Sequence, residues 1–127
     1  MIPILLAAAL AGSSTIAEMK WQRRVLLIAA PRAEDARVAA QRRMLAGWDA
    51  GARERDLAVV LVIGDRVDGA RDSATALRKR LRLPGGRFVA ILIGKDGGEK
   101  MRSSKPIAPE VLAETIDAMP MRRAGQR

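Results

Sequence analysis

The stretch FVAILIGKDGGEKMRS (residues 88–103) decides the fold. Six apolar residues give way to Gly94-Lys95-Asp96-Gly97-Gly98, and a short charged segment follows. An Asp-Gly pair between two such segments predicts a β-hairpin. The second segment, EKMRS (99–103), places Lys100 and Arg102 on one face, which suits an edge strand that must resist pairing with other chains. A hairpin here argues against a wholly parallel, flavodoxin-like sheet, which would put a helix between its last two strands.

Two further apolar runs match the first half of this hairpin in length: VLLIAA (25–30) and LAVVLVI (57–63). Neither alternates with polar residues, the pattern of central strands covered on both faces. Helical patterns lie between them. From Asp35 to Gly51, Val38, Gln41, Leu45 and Trp48 share one face, with Asp35 as cap. From Asp72 to Leu83, Ala74, Leu77 and Leu81 do the same, with Asp72 or Ser73 as cap and Pro84-Gly85-Gly86 as terminator. A last helix opens at Pro109, carries Leu112, Ile116 and Met119 as its stripe, and stops at Pro120. The order β-α-β-α-β-β-α, with central parallel strands and an antiparallel C-terminal hairpin, predicts an α/β protein with the three-layer thioredoxin-like sandwich.

The chain has 127 residues, room for one domain, and neither cysteine nor histidine. Thiol redox chemistry, disulfides, Cys/His metal sites and histidine-based triads are therefore excluded. Acidic residues in EDARVAAQ (34–41) and DRVDGARD (65–72) are interleaved with arginine, so no metal site is expected, and no cofactor. Neither LPGGRF nor GKDGG has phosphate-loop spacing. The core must be aliphatic, because Trp21, Trp48 and Phe88 are the only aromatic residues.

Net charge is +9, with basic concentrations at LRKRLR (77–82) and MRRAGQR (121–127). This favours an anionic partner. The first residues read differently: Ile2 to Ala11 form an apolar run of signal-peptide length, too short to span a membrane. Small-x-small sites end at Ala11 and Ala17. The expected organisation is a signal peptide over 1–17, cleaved after Ala17 or alternatively Ala11, and a domain over 18–127, with no transmembrane segment in the mature chain. A periplasmic or secreted location follows, and it makes nucleic acid an unlikely partner.

KWQRRVLLIAAP (20–31), QRRMLAG (41–47), RERDLAVVLVIGD (53–65), LRKRLRLP (77–84), FVAILIGKDGGEKMRS (88–103) and IDAMPMRR (116–123) together resemble bacterial members of domain-of-unknown-function family 4174. LIGKDGGEKMRS and IDAMPMRR are the most specific pieces. The resemblance implies a thioredoxin- or peroxiredoxin-like fold and, because related domains occur in secreted and matrix-associated animal proteins, export. It implies no activity. In thiol enzymes of this fold the nucleophile opens the first helix, where the helix dipole lowers its pKa. Here that segment, APRAEDARVAAQ (30–41), holds no Cys, Ser, Thr or His.

The functional expectation is an exported thioredoxin-like domain without redox cysteines, a non-catalytic binding or structural module for a protein or an anionic surface. Its expected binding residues are Arg32, Glu34, Asp35 and Arg37 in the first βα loop, Arg87 in the turn before the third strand, and Lys95 and Asp96 in the hairpin. One alternative is an electrostatic binder of nucleic acid or anionic lipid, using LRKRLR joined to the basic tail. The other is an enzyme built on carboxylates or on Ser103-Ser104 beside Lys105, which would require a lysine desolvated enough to lose its proton.

Overall fold

The three apolar runs form the middle of a five-stranded sheet in the computed structural model, which describes residues 14–125. In chain order the elements are α1 (Ile16–Met19), β1 (Arg24–Ala30), α2 (Ala36–Ala46), α3 (Asp49–Glu54), β2 (Leu57–Ile63), β3 (Arg66–Asp68), α4 (Ala74–Leu81), β4 (Val89–Ile93), β5 (Glu99–Ser103), α5 (Pro109–Asp117) and α6 (Pro120–Arg123). The strand order across the sheet is β3-β2-β1-β4-β5. The molecule is a mixed α/β protein.

Strand β1 is buried along its whole length and organises both layers. Val25, Leu27 and Ala29 point into one cluster, with Val60, Val62, Ile91, Met19 from α1 and Leu77 from α4. Leu26, Ile28 and Ala30 point into the other, with Phe88, Leu92, Val38 from α2, and Leu112 and Ile116 from α5. Each such aliphatic side chain contributes roughly 1.5–3 kcal/mol on burial. A core this poor in aromatics therefore depends on many modest terms.

The first two runs pair in parallel, β2 on β1, while β4, the first strand of the hairpin, runs antiparallel to β1 with Val25 opposite Ile93 and Ala29 opposite Val89. Several expectations need correction. The stretch DRVDGARD, given no strand in the expected order, supplies an extra one, because β3 folds back on β2 with Val67 opposite Val62. Three residues are too few for any periodicity to announce them. Strand β2 is also not covered on both faces. Val59 is 36% exposed, facing a groove between β2 and the helices α2 and α3.

The single helix expected over Asp35–Gly51 is two. It breaks at Gly47-Trp48, and Trp48 folds its ring back over Gly51, where an added Cβ would lie only 2.6 Å from ring carbon Cδ1. Gly51 is thus a glycine by close approach. The caps are as anticipated: Asp35 accepts from the Arg37 amide at 2.8 Å and Ser73 from the Ala76 amide at 3.1 Å. Pro120 ends α5 but opens the short α6.

The expected signal peptide falls mainly on residues 1–13, outside the described residues. Residues 14–17 do belong to the folded unit. Thr15 and Glu18 form a reciprocal capping box on α1, Ile16 and Met19 are buried, and the Ile16 amide donates to Asp72 at 2.8 Å. No helix among the described residues is long and apolar enough to cross a membrane.

Gln41 shows how the sequence stripe and the fold differ in chemistry. It sits on the apolar face of α2, fully buried, and its amide both accepts from Ile107 N–H (2.7 Å) and donates to Ile107 C=O (2.9 Å). The side chain behaves as one step of a β-ladder, pinning the loop that leads into α5. Gln41→Leu leaves two buried backbone groups unpaired, so stability should fall by about 2–3 kcal/mol, measured by urea denaturation.

Candidate functional site

Antiparallel pairing of β4 with β1 separates the expected binding residues into two poles. The β1–α2 loop and the turn before β4 lie at one end of the sheet; the β4–β5 hairpin lies at the other. Seven residues of β1 put roughly 20 Å between them. At the first pole Arg32, Glu34 and Arg37 are exposed, and among the described residues no ion pair holds them. Asp35 is occupied as the cap of α2. Arg87, also exposed, shares a shallow depression with Arg82, Pro84, Arg102 and Ser104. The strand–helix tip is thus a solvated surface with a satisfied cap.

Lys95 and Asp96 stand at the opposite pole, and their surroundings differ sharply. Lys95 is 7% exposed, and its ammonium donates to Asp56 Oδ2 at 2.9 Å. Beside it is Arg24, at the start of β1 and 1% exposed, donating through Nη1 to Arg55 C=O (2.7 Å) and through Nε to Met119 Sδ (3.3 Å). Burial and the neighbouring Arg122 lower the Arg24 pKa, yet a guanidinium keeps its charge through such shifts. Two cations are therefore desolvated at one end of a sheet, an expensive arrangement that stands only because oxygens surround them.

A cavity of about 210 Å³ opens above this pair. Trp21, Gly94, Lys100, Met119, Pro120 and Met121 complete its walls around Arg24, Lys95 and Asp96. Trp21 is 57% exposed and has φ +70°, and its amide donates to Lys95 C=O. Asp56, the partner of Lys95, has φ +51°. Left-handed backbone at a bulky residue costs on the order of 1–3 kcal/mol, and it persists where the surroundings over-determine it. Lys20 extends over the Trp21 ring, 5.5 Å from its centroid.

An ion-pair lattice braces the pole from behind. Arg55 makes a two-pronged contact with Asp117 (3.1 and 3.0 Å), and Arg122 bridges Asp117 (3.0 Å) and Glu54 (2.7 Å). The Arg55 guanidinium holds the Asp117 carboxyl below its ordinary value, with Arg122 adding to the effect. In the hairpin, the Lys100 ammonium and the Gly98 amide do the same for Asp96.

The two basic concentrations do not join. Helix α4, carrying Arg78, Lys79 and Arg80, packs on the sheet face of Leu27 and Val60, whereas Met119, leading into the tail, packs on the opposite face. Arg78 is drawn to the Gly64 carbonyl, and Arg122 is held by carboxylates. The Ser/Lys arrangement is also open: Ser104 and Lys105 are exposed, the Ser103 hydroxyl accepts from the Lys105 amide at 3.0 Å, and Lys100 faces Asp96. No group of three or more Asp or Glu residues is arranged to hold a metal among the described residues.

Sequence reasoning picked out Lys95 and Asp96 but missed Trp21, Arg24, Asp56 and Met119–Met121. A signal existed. The segments 20–31, 92–103 and 116–123, quoted for the family resemblance, are distant in the chain yet supply all nine cavity-lining residues. Consecutive arginines at 23 and 24 offered a second hint, since alternation turns one of two neighbours inward at a strand start.

The fold and this pole define an α/β protein with a cation-floored cavity at one end of its sheet. The chain belongs to a domain-of-unknown-function family, DUF4174, whose model matches residues 15–125. No curated protein and no solved structure matches it significantly.

Carboxylates with lowered pKa stabilise the fold above their unfolded values, and that contribution is lost as pH falls through the folded ones. Asp117 and Asp96, with ordinary values of 3.8, should therefore make stability decline below about pH 4. Asp117→Asn should lower stability at pH 7 and flatten this acid limb, measured by denaturant titration at a series of pH values.

Proposed function

We propose that the protein is an exported, non-catalytic module of thioredoxin-like topology that binds a protein with an anionic surface through the Lys95 pole. The observation that carries this reading is the pair of buried cations, Arg24 and Lys95, at the floor of a cavity rimmed by an exposed tryptophan. Buried ion pairs contribute little net stability and are often matched by apolar replacements, so their retention beside an open cavity points to recognition. Exposed tryptophan is also enriched at binding hot spots.

The topology supports the thioredoxin-like assignment. A β1-α2-β2 unit is followed by α4, the β4–β5 hairpin and α5, with β1 parallel to β2 and antiparallel to β4. The strand β3 is an addition to that plan. With no cysteine in the chain, the thiol chemistry of such folds has no nucleophile. Binding at the opposite end of the sheet is then a use of the scaffold independent of the vacated tip.

Export, resting on the apolar run Ile2–Ala11, acquires a preferred processing point. Cleavage after Ala17 would remove Thr15, half of the capping box, and the buried Ile16. Cleavage after Ala11 spares both. The protein recovered from an extracytoplasmic fraction should begin at Gly12 on N-terminal sequencing; a start at Glu18 would contradict the role given to α1.

For the binding site, immobilised protein should retain a reproducible partner from that fraction at low salt and release it at high salt. Trp21→Ala and Lys100→Glu should weaken retention at least fivefold, while Arg37→Glu, at the other pole, should leave it unchanged. The reverse ranking would move the site to the first βα loop.

A further inference from the structure

We infer that the cavity bounded by Trp21, Lys95, Lys100 and Met119–Met121 binds a carboxylate attached to a compact apolar group, the chemistry found at the C-terminal or acidic end of a peptide. The inference rests on the binding-module reading and names the ligand class of the same site. Four features of the pole lead to it.

Size comes first. About 210 Å³ lies below the roughly 300–1,000 Å³ usual for cofactor and small-molecule pockets, so the space suits one side chain or one terminal residue. The second feature is the lining, where Trp21, Met119, Pro120 and Met121 offer an apolar surface, and methionines adapt to varied aliphatic shapes.

Charge is the third. Arg24, Lys95 and Lys100 face Asp96 in the wall and Asp56 behind Lys95, which leaves an excess of one positive charge; Lys20 above Trp21 raises it further. A monoanion matches that excess. The fourth feature is where hydrogen-bond donors point. Arg24 spends Nε and Nη1 on Met119 and Arg55, so the bidentate fork that grips phosphate is engaged internally. Each lysine ammonium has three donors, and Lys95 and Lys100 each give one to a carboxylate. Those two ammonium groups can together hold a small carboxylate, and Trp21, kept in place by the hydrogen bond its amide N–H donates to Lys95 C=O, covers the apolar body beside it.

The test uses the full-length protein labelled with nitrogen-15 and three peptide probes at physiological salt: acetyl-Ala-Leu with a free C-terminus, its C-terminal amide, and acetyl-Glu-Leu amide. The readouts are the Trp21 indole N–H and the Gly94 and Lys95 amide resonances, assigned with Trp21→Ala. The free-acid probe should shift them saturably and bind at least fivefold tighter than its amide. Equal binding by the glutamate-bearing amide would identify the side chain as an equivalent carboxylate source, and no binding by it would restrict the site to chain termini. Lys100→Gln, at an exposed position, should weaken binding at least threefold with the rest of the spectrum unchanged. Shifts of the same size from the uncharged amide, or none from any probe, would overturn the inference. In that event partner retention sensitive to Trp21→Ala would still uphold the binding module, whereas its absence would remove both.

Discussion

Burial of β1 on both faces, between a parallel neighbour and an antiparallel one, is the constraint from which the rest of the molecule follows. With three aromatic residues in 127, no large ring anchors either layer, and the aliphatic side chains of one strand must serve both cores. The mixed pairing also fixes polarity. Because β4 returns against β1, the entrance of β1 and the exit of β4 share one end of the sheet, and Arg24 and Lys95 become neighbours although they lie 71 positions apart. A parallel β4 would have placed Lys95 beside the first βα loop and Arg87 at the opposite end of the sheet.

That dependence explains what was legible in the sequence. Continuous runs such as VLLIAA and FVAILI announce buried strands, Asp96-Gly97 announces the hairpin, and Ser73 and Pro109 mark helix starts, because each signal is local. Strand direction is set by nonlocal packing and leaves no mark on FVAILI itself. Val59 shows a related limit: an apolar run reads as doubly covered, but whether a helix reaches its outer face depends on where α2 breaks. The break at Gly47-Trp48 and the return of the Trp48 ring over Gly51 were written in two residues whose meaning appears only once the chain has turned.

The candidate site was half legible for the same reason. Lys95 and Asp96 stand out as charges in a glycine-rich turn, whereas Asp56 looks like one more charge in RERD and Met119 like the end of an amphipathic stripe. Their roles depend on neighbours brought from elsewhere: Asp56 meets the Lys95 ammonium, and the Met119 sulfur accepts from Arg24. The lack of thiol chemistry, by contrast, was readable outright, since a cysteine that is missing from the composition is missing from every fold.

The two poles of the sheet therefore carry opposite loads. At the first, Asp35 caps a helix, the surrounding charges lie in water, and the left-handed residue Arg82 serves only to end α4. At the second, two cations are taken out of solvent and two non-glycine residues, Trp21 and Asp56, hold left-handed backbone. Each of these features is a cost, and a fold selected for stability alone could relieve it: methionine at 95 would need no counter-ion, and glycine at 21 would need no strain. Their concentration around one open cavity, braced by the Arg55–Asp117–Arg122 lattice, is what the proposed binding role rests on.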